Sequence, residues 1–426
     1  MKREFRNGNI GYMLPKRYLT FLKEPLWSKV LVLATVLFFV FLSDAILSFW
    51  VPNFLEASLK STLAMGAIMS ASSIVGLGLD LVLPQVIKGI TVKQLVFLAI
   101  ATSFTFSLFL LEATWVPIVT VFLLAMATWG IYYELLGFAQ QQFVADSTPL
   151  KFHPAAWGIL GVFRSLAYFL GPILAGSFLG FGIRVPVFVA LGFAFISLII
   201  LILYGKAHDR PMEIDTRKVS LWREIEHWKV LFEHVWPVLI LSLFLGLIDA
   251  TFWTIGAVWT EELAQKHWLG GAFLSIYVLP SLFMGFVVAK WGIYKGKKRA
   301  AMKFLIVSGL LLTALGVSDS IPWQTLVVFL SSVALAIVYP LTDGVYSDVI
   351  ARMGRERRHM MGLSGSTLSL AYIIGPPLAG AVGEMVGERM TFVVIGVASI
   401  LVAAVLLAVT PRKLKLPQSQ IQGWEG

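Results

Sequence analysis

The stretch Gly161-Val162-Phe163-Arg164-Ser165-Leu166-Ala167-Tyr168-Phe169-Leu170-Gly171-Pro172-Ile173-Leu174-Ala175-Gly176 recurs, imperfectly, 204 residues later. The second copy reads Gly365-Ser366-Thr367-Leu368-Ser369-Leu370-Ala371-Tyr372-Ile373-Ile374-Gly375-Pro376-Pro377-Leu378-Ala379-Gly380. Working outward, Gly158 returns as Gly362, Asp44-Ala45 as Asp249-Ala250, and Glu56 as Glu261. Most of these matches lie inside long apolar runs, and the matched charges are rare ones.

With 58% hydrophobic residues, 14% charged and a mean hydropathy of +0.82, the chain falls outside the range of soluble globular proteins. Twelve windows reach the roughly 20 residues a helix needs to cross a bilayer core of about 30 Å. They lie near 30–54, 62–84, 94–112, 116–139, 156–179, 185–204, 236–259, 269–290, 300–318, 324–345, 360–383 and 390–410. A β-barrel requires short alternating segments, and these runs are continuous. The expected fold is an all-α membrane protein of twelve transmembrane helices in two pseudo-symmetric six-helix halves. Halves related by an internal repeat are the pattern expected of secondary transporters.

The domain reading is a cytoplasmic N-terminal segment (1–29), one six-helix half (30–204), a central cytoplasmic loop (205–235), the second half (236–410) and a tail (411–426) expected to be disordered. In the central loop, Leu221, Ile225, Trp228, Phe232 and Val235 recur at helical spacing opposite Arg223, Glu224, His227 and Lys229. That pattern predicts an amphipathic helix lying on the inner leaflet. Residues 1–29 lack the apolar core and small-residue cleavage site of a signal peptide, so the first span is expected to direct insertion.

The net charge of +10 is distributed by topology. In a twelve-span arrangement with both ends inside, 29 of the 34 Lys and Arg residues fall on inner segments. Lys60, Arg184, Lys266 and Arg389 fall outside, and Arg164 lies within a span. Acidic residues do the reverse. The positive-inside rule then puts both termini in the cytoplasm and the protein in the cytoplasmic (inner) membrane. The basic runs Lys295–Arg299 and Arg352–Arg358 are read as inner loops touching anionic lipid heads, not as nucleic-acid contacts.

Cysteine is absent, which excludes disulfides and thiol chemistry. The six histidines are scattered without metal-ligand spacing. No metal, cofactor or enzymatic activity is expected. The expected partners are a small-molecule substrate, protons and membrane lipids, with the chain acting as a monomer.

Asp44 and Asp249 stand about 14 residues into the first and seventh spans, about 20 Å deep at 1.5 Å per residue. An acid there costs about 2.5–3.5 kcal/mol on insertion scales. Neither has a basic neighbour in sequence, and binding a proton lowers that cost. They are either a coupling or cation-binding pair or structural acids held between helices. Glu134 and Arg164 reach similar depths, about 8–12 Å from the inner surface. They form either a static salt bridge, a pair exchanged during gating, or an anchor for an anionic substrate. Trp50, Trp129, Tyr132, Tyr133, Tyr168, Trp253 and Tyr372 are candidate cavity aromatics, suited to a cation through cation–π attraction. The alternative for each ring is a lipid-facing belt or packing. The spans are poor in Asn and Gln, with Gln140, Gln141 and Gln142 already at the inner mouth, which favours a hydrophobic substrate.

Two six-helix halves, a long central inner loop and a GP-x-x-A-G run (Gly171, Pro172 and Gly176), matched by Gly375, Pro376 and Gly380, resemble the major facilitator superfamily. That resemblance implies alternating access, a central cavity lined by the first and seventh spans, and an antiporter character for the glycine-proline run. A packing kink common to both halves would look identical in sequence. Between spans 2 and 3, Gly76 and Asp80 resemble the family's loop motif, with Leu81 where that motif carries arginine. On these grounds the chain is expected to be a proton-coupled exporter of small hydrophobic or amphipathic compounds. The alternatives are an importer of a small solute and a non-transporting sensor or scaffold.

Overall fold

The structure, a computed structural model, describes residues 25–86, 90–149, 153–204, 221–291, 296–350, 352–353, 357–411, 414 and 416. Most of the N-terminal segment, the first half of the central loop, and parts of the two basic runs and of the tail lie outside the described residues. All regular structure among the described residues is helical. The first half comprises α1 (Pro25–Leu59), α2 (Thr62–Val86), α3 (Val92–Ala113), α4 (Val119–Ser147), α5 (His153–Leu179) and α6 (Val185–Tyr204). In the second half, span 7 is α7 (Leu221–Trp253) and α8 (Ile255–Lys266), interrupted at Thr254. Span 8 is a 3₁₀ turn (Gly270–Ala272) followed by α9 (Phe273–Val278) and α10 (Ser281–Trp291). Spans 9 to 12 are α11 (Lys297–Thr313), α12 (Ile321–Ile350), α13 (Arg357–Val386) and α14 (Glu388–Val409).

Among the described residues, eleven stretches are long and apolar enough to cross a membrane. The eighth span, whose apolar stretch among the described residues is Gly270–Gly285, is broken at Leu279-Pro280, where a proline removes a backbone donor and ends the preceding helix. Outward faces carry exposed Phe195, Ile199 and Ile202 on α6 and Leu401 and Val405 on α14. Such faces suit contact with lipid tails.

Many polar side chains inside the helices bond to their own helix backbone. Thr35, Asn53, Ser107 and Thr342 each donate to the carbonyl four residues earlier. The rest of the inner surface is free to pack, and the two halves use it alike. The α5 helix packs on α1, and α13 on α7. A Cβ on Gly171 would fall 2.4 Å from the Ala45 Cβ, and one on Gly375 would fall 2.7 Å from the Ala250 Cβ. The glycine-proline runs thus bring each pair of helices into close approach beside its aspartate. Both helices continue unbroken through Pro172 and through Pro376-Pro377.

The halves meet where α2 packs on α13 and where α5 packs on the broken span 8. At the end that carries the short loops near 60 and 387, this contact is tight. Thr62 Oγ1 donates to Gly380 O at 2.7 Å, and a Cβ on Gly380 would fall 2.1 Å from Thr62 O. The Glu384 carboxylate accepts from Ser61 Oγ and from Leu63 N at 3.2 Å, so an acid of α13 serves the first turn of α2. Free N–H groups and the helix dipole make that position favourable for a carboxylate. Gly387, with φ 82°, supplies the turn that sends the chain from α13 into α14.

Two expectations change. The amphipathic segment of the central loop is not a separate surface helix: from Leu221 it runs continuously into span 7. No helix breaker separates the two, and Pro237 is absorbed within the helix. Leu231, Val235, Val238 and Leu239 are buried against α12 and α13. The tail is not wholly detached, because Leu414 is buried in that cluster and its carbonyl accepts from Arg352 Nη1 at 3.0 Å.

Candidate functional site

A cavity of about 490 Å³ lies between the halves, its wall built from α1, α2, α4 and α5 on one side and α7, α9, α10, α12 and α13 on the other. That volume is in the range of small-molecule sites. The close packing of α2 on α13 shuts it at one end.

Asp44 is enclosed, 2% exposed. Its Oδ1 accepts from Trp129 Nε1 at 2.7 Å, and its Oδ2 accepts from Tyr133 OH at 2.8 Å and from Tyr168 OH. Hydrogen bonds to a charged group contribute about 1.5–3 kcal/mol each, so three of them outweigh the insertion cost of about 2.5–3.5 kcal/mol. The sequence offered no basic partner for this acid, and the fold supplies neutral donors instead. Asp249 is placed differently. Tyr277 and Tyr372 donate to its two oxygens, but the group is partly exposed and lines the cavity.

Glu134 and Arg164 line the same cavity, which brings all four charges singled out in the sequence into one region. Gly76 makes room for Glu134: a Cβ there would stand 2.9 Å from Glu134 Oε1. Arg164 is exposed although deep in the bundle, because it stands on the cavity wall. Its guanidinium lies 5.3 Å from the Phe41 ring centroid and 5.6 Å from that of Tyr168.

Of the candidate aromatics, Trp129, Tyr133, Tyr168, Trp253 and Tyr372 line the cavity. Trp50 does not. It is buried within the first half, stacks on Phe54 with centroids 4.5 Å apart, and donates its indole N–H to Ile183 O at 2.8 Å. Two residues further along the helix than Trp253, it points to another face. Tyr132 is also turned into the first half, fully buried. Gly76 and Asp80 belong to helix α2 and not to a loop, and the Asp80 side chain lies outside the described residues. A Cβ on Gly176 would meet nothing within 4 Å, unlike one on its counterpart Gly380.

Sequence reading missed Tyr277 and Tyr339, both on the cavity wall. Tyr339 stands 206 residues after Tyr133, close to the repeat offset, and this was the available signal. Tyr277 corresponds to a serine in the first half and left no trace of itself in the repeat. Ser48, one turn beyond Asp44, adds to the wall a buried hydroxyl with no protein partner among the described residues.

Residues 33–355 and 251–425 match the Major Facilitator Superfamily, overlapping matches that together span nearly all of the chain. The chain belongs to the major facilitator superfamily. Among its relatives is Multidrug resistance protein 2 of Bacillus subtilis (strain 168), 24% identical over 278 residues, which is 63% of this chain and 67% of that protein. Solved structures with the same fold include the peptide transporter POT in complex with sulfate (TM-score 0.67, 15% identity, 90% of this chain and 94% of that one). The nucleoside transporter NupG aligns with TM-score 0.65 at 15% identity, over 88% of this chain and 98% of its own. The human organic anion transporter MFSD10 gives 0.59 at 19% identity, over 90% and 99%. These likenesses establish the fold of this superfamily member, a multi-pass membrane transporter by family.

Proposed function

We propose that this chain is a proton-coupled exporter of small hydrophobic or amphipathic compounds, cationic ones foremost. It would work by alternating access in the cytoplasmic membrane with both termini inside. The observation that carries this reading is the partly exposed Asp249 carboxyl in an aromatic-walled cavity between repeat-related halves. Apolar and ring surfaces favour a hydrophobic guest, while the carboxylate and ring faces attract a positive charge. A proton on Asp249 removes that attraction, so proton and cation compete for one group. With the tight α2–α13 contact assigned to the outer side by the charge asymmetry, the arrangement is read as the inward-facing state. The multidrug-resistance name of the Bacillus relative supports export.

A second reading rests on Arg164, exposed on the same wall. A small zwitterion bridging Arg164 and Asp249 would suit inward transport of a polar solute. Proteoliposomes with an imposed pH gradient separate the two. A fluorescent lipophilic cation should accumulate in vesicles with an acid lumen, and a protonophore should abolish the accumulation. Gradient-driven movement of a dipeptide, with no lipophilic cation moving, would replace export with the second reading.

A further inference from the structure

We infer that Tyr168 is the positioning residue through which an occupant of the cavity controls proton binding at Asp44. This deepens the proton-coupled reading above and rests on it. The problem it answers is that Asp44 is 2% exposed and screened from the cavity by the rings that donate to it. A proton or an occupant can affect Asp44 only through that screen.

Its members are not equivalent. The Trp129 indole is a donor only and holds Oδ1, so it cannot accept from a protonated carboxyl. Phenol hydroxyls both donate and accept, so a proton is accommodated on Oδ2, where Tyr133 and Tyr168 meet. Their hydroxyls lie 3.3 Å apart, close enough for one to receive when the other turns. Of the two, Tyr168 also touches the opposite half. Its ring meets Trp253 of α7 edge to face, with centroids 5.2 Å apart, and Arg164 lies over its face. An occupant resting on Trp253 therefore presses on the ring whose hydroxyl holds Asp44. The groups facing Asp44 from the packed helices are Tyr132 and Tyr133 of α4, and Arg164 and Tyr168 of α5, with Asp249 across the cavity.

The step balances as a relay. A cavity water, as hydronium, gives a proton to the Tyr168 oxygen while the hydroxyl proton of Tyr168 passes to Asp44 Oδ2. Tyr168 ends as a neutral phenol, and one proton has moved from the cavity to Asp44. In the second half the related Tyr372 has no such duty, because Asp249 meets the cavity directly.

The experiment uses the purified protein with a fluorescent lipophilic cation as probe. Difference infrared spectroscopy reads the carbonyl stretch of protonated Asp44, assigned by its loss in Asp44→Asn. In wild type, adding the probe should shift the pH at which that band appears. In Tyr168→Phe, which keeps the ring, the probe-induced shift should vanish. Gradient-driven transport should fall about tenfold or more, as for loss of a proton-transfer group, and by a larger factor than gradient-free exchange does. Trp253→Ala leaves every hydrogen bond to Asp44 in place and, at probe concentrations that keep the cavity filled, should also uncouple the band from the probe, which covers a folding defect in the first variant. A probe-induced shift in Tyr168→Phe equal to wild type overturns the inference. A wild-type band that ignores the probe, with no gradient-driven transport, overturns the parent reading instead.

Discussion

Asp44 and Asp249 occupy the same place in two copies of one repeat, yet the fold treats them oppositely. The first is sealed behind Trp129, Tyr133 and Tyr168, with three donors. The second has two tyrosine donors and opens onto the cavity. The difference arises in the partners: α4 presents Trp129 and Tyr133 to Asp44, whereas in α12 the related Tyr339 donates to the Leu245 carbonyl at 3.3 Å. A duplicated helix pair thus sets the depth of both acids, and the less faithfully repeated third helix decides which one meets a guest. On the proposed function a division of labour follows: Asp249 contacts the substrate, and Asp44 senses it.

The sharpest way to break that comparison is to neutralise each acid in turn. Asp249→Asn should abolish both probe binding, measured by fluorescence titration, and transport. Asp44→Asn should retain probe binding within about threefold while losing gradient-driven accumulation, since one proton site is gone. Equal loss of binding in both variants would return the two acids to equivalence.

A smaller effect is expected at the matched glycines. Gly380 faces the Thr62 backbone across the halves, whereas Gly176 faces open space. Gly380→Leu should therefore hold the halves apart at the closed end, since overpacking costs about 1–3 kcal/mol, and reduce transport strongly. Gly176→Leu should leave transport within about twofold. Because the natural chain has no cysteine, paired cysteines introduced on α2 and α13 near that end report the separation by cross-linking rate. An unchanged rate in Gly380→Leu would show that the contact is looser than its geometry.

The mildest test is Glu384→Gln. The amide keeps one acceptor for Ser61 and Leu63 but loses the charge that favours the α2 N-terminus. The closed end should open about two- to fivefold more often, raising accessibility of a cysteine placed at the closed contact. No change would mean that Thr62 and Gly380 alone hold this end.

The architecture was open to sequence reading because it depends on local quantities. Span positions follow from apolar runs, and the two-half plan from Gly171-Pro172 returning as Gly375-Pro376. The depth of each acid follows from counting residues along one helix. What surrounds an acid is not a local quantity. The donors to Asp44 come from residues 85, 89 and 124 positions away, so their convergence is decided by the rotation and crossing of α1, α4 and α5. Trp50, six residues after Asp44, meets Ile183 inside the first half, whereas Trp253, four residues after Asp249, meets the cavity, so what each ring touches is again set by packing. Sequence alone determined a twelve-span, two-half membrane protein with paired deep acids. Only the tertiary structure decided which acid is sealed and which is open, because enclosure depends on side chains that meet only when the helices pack.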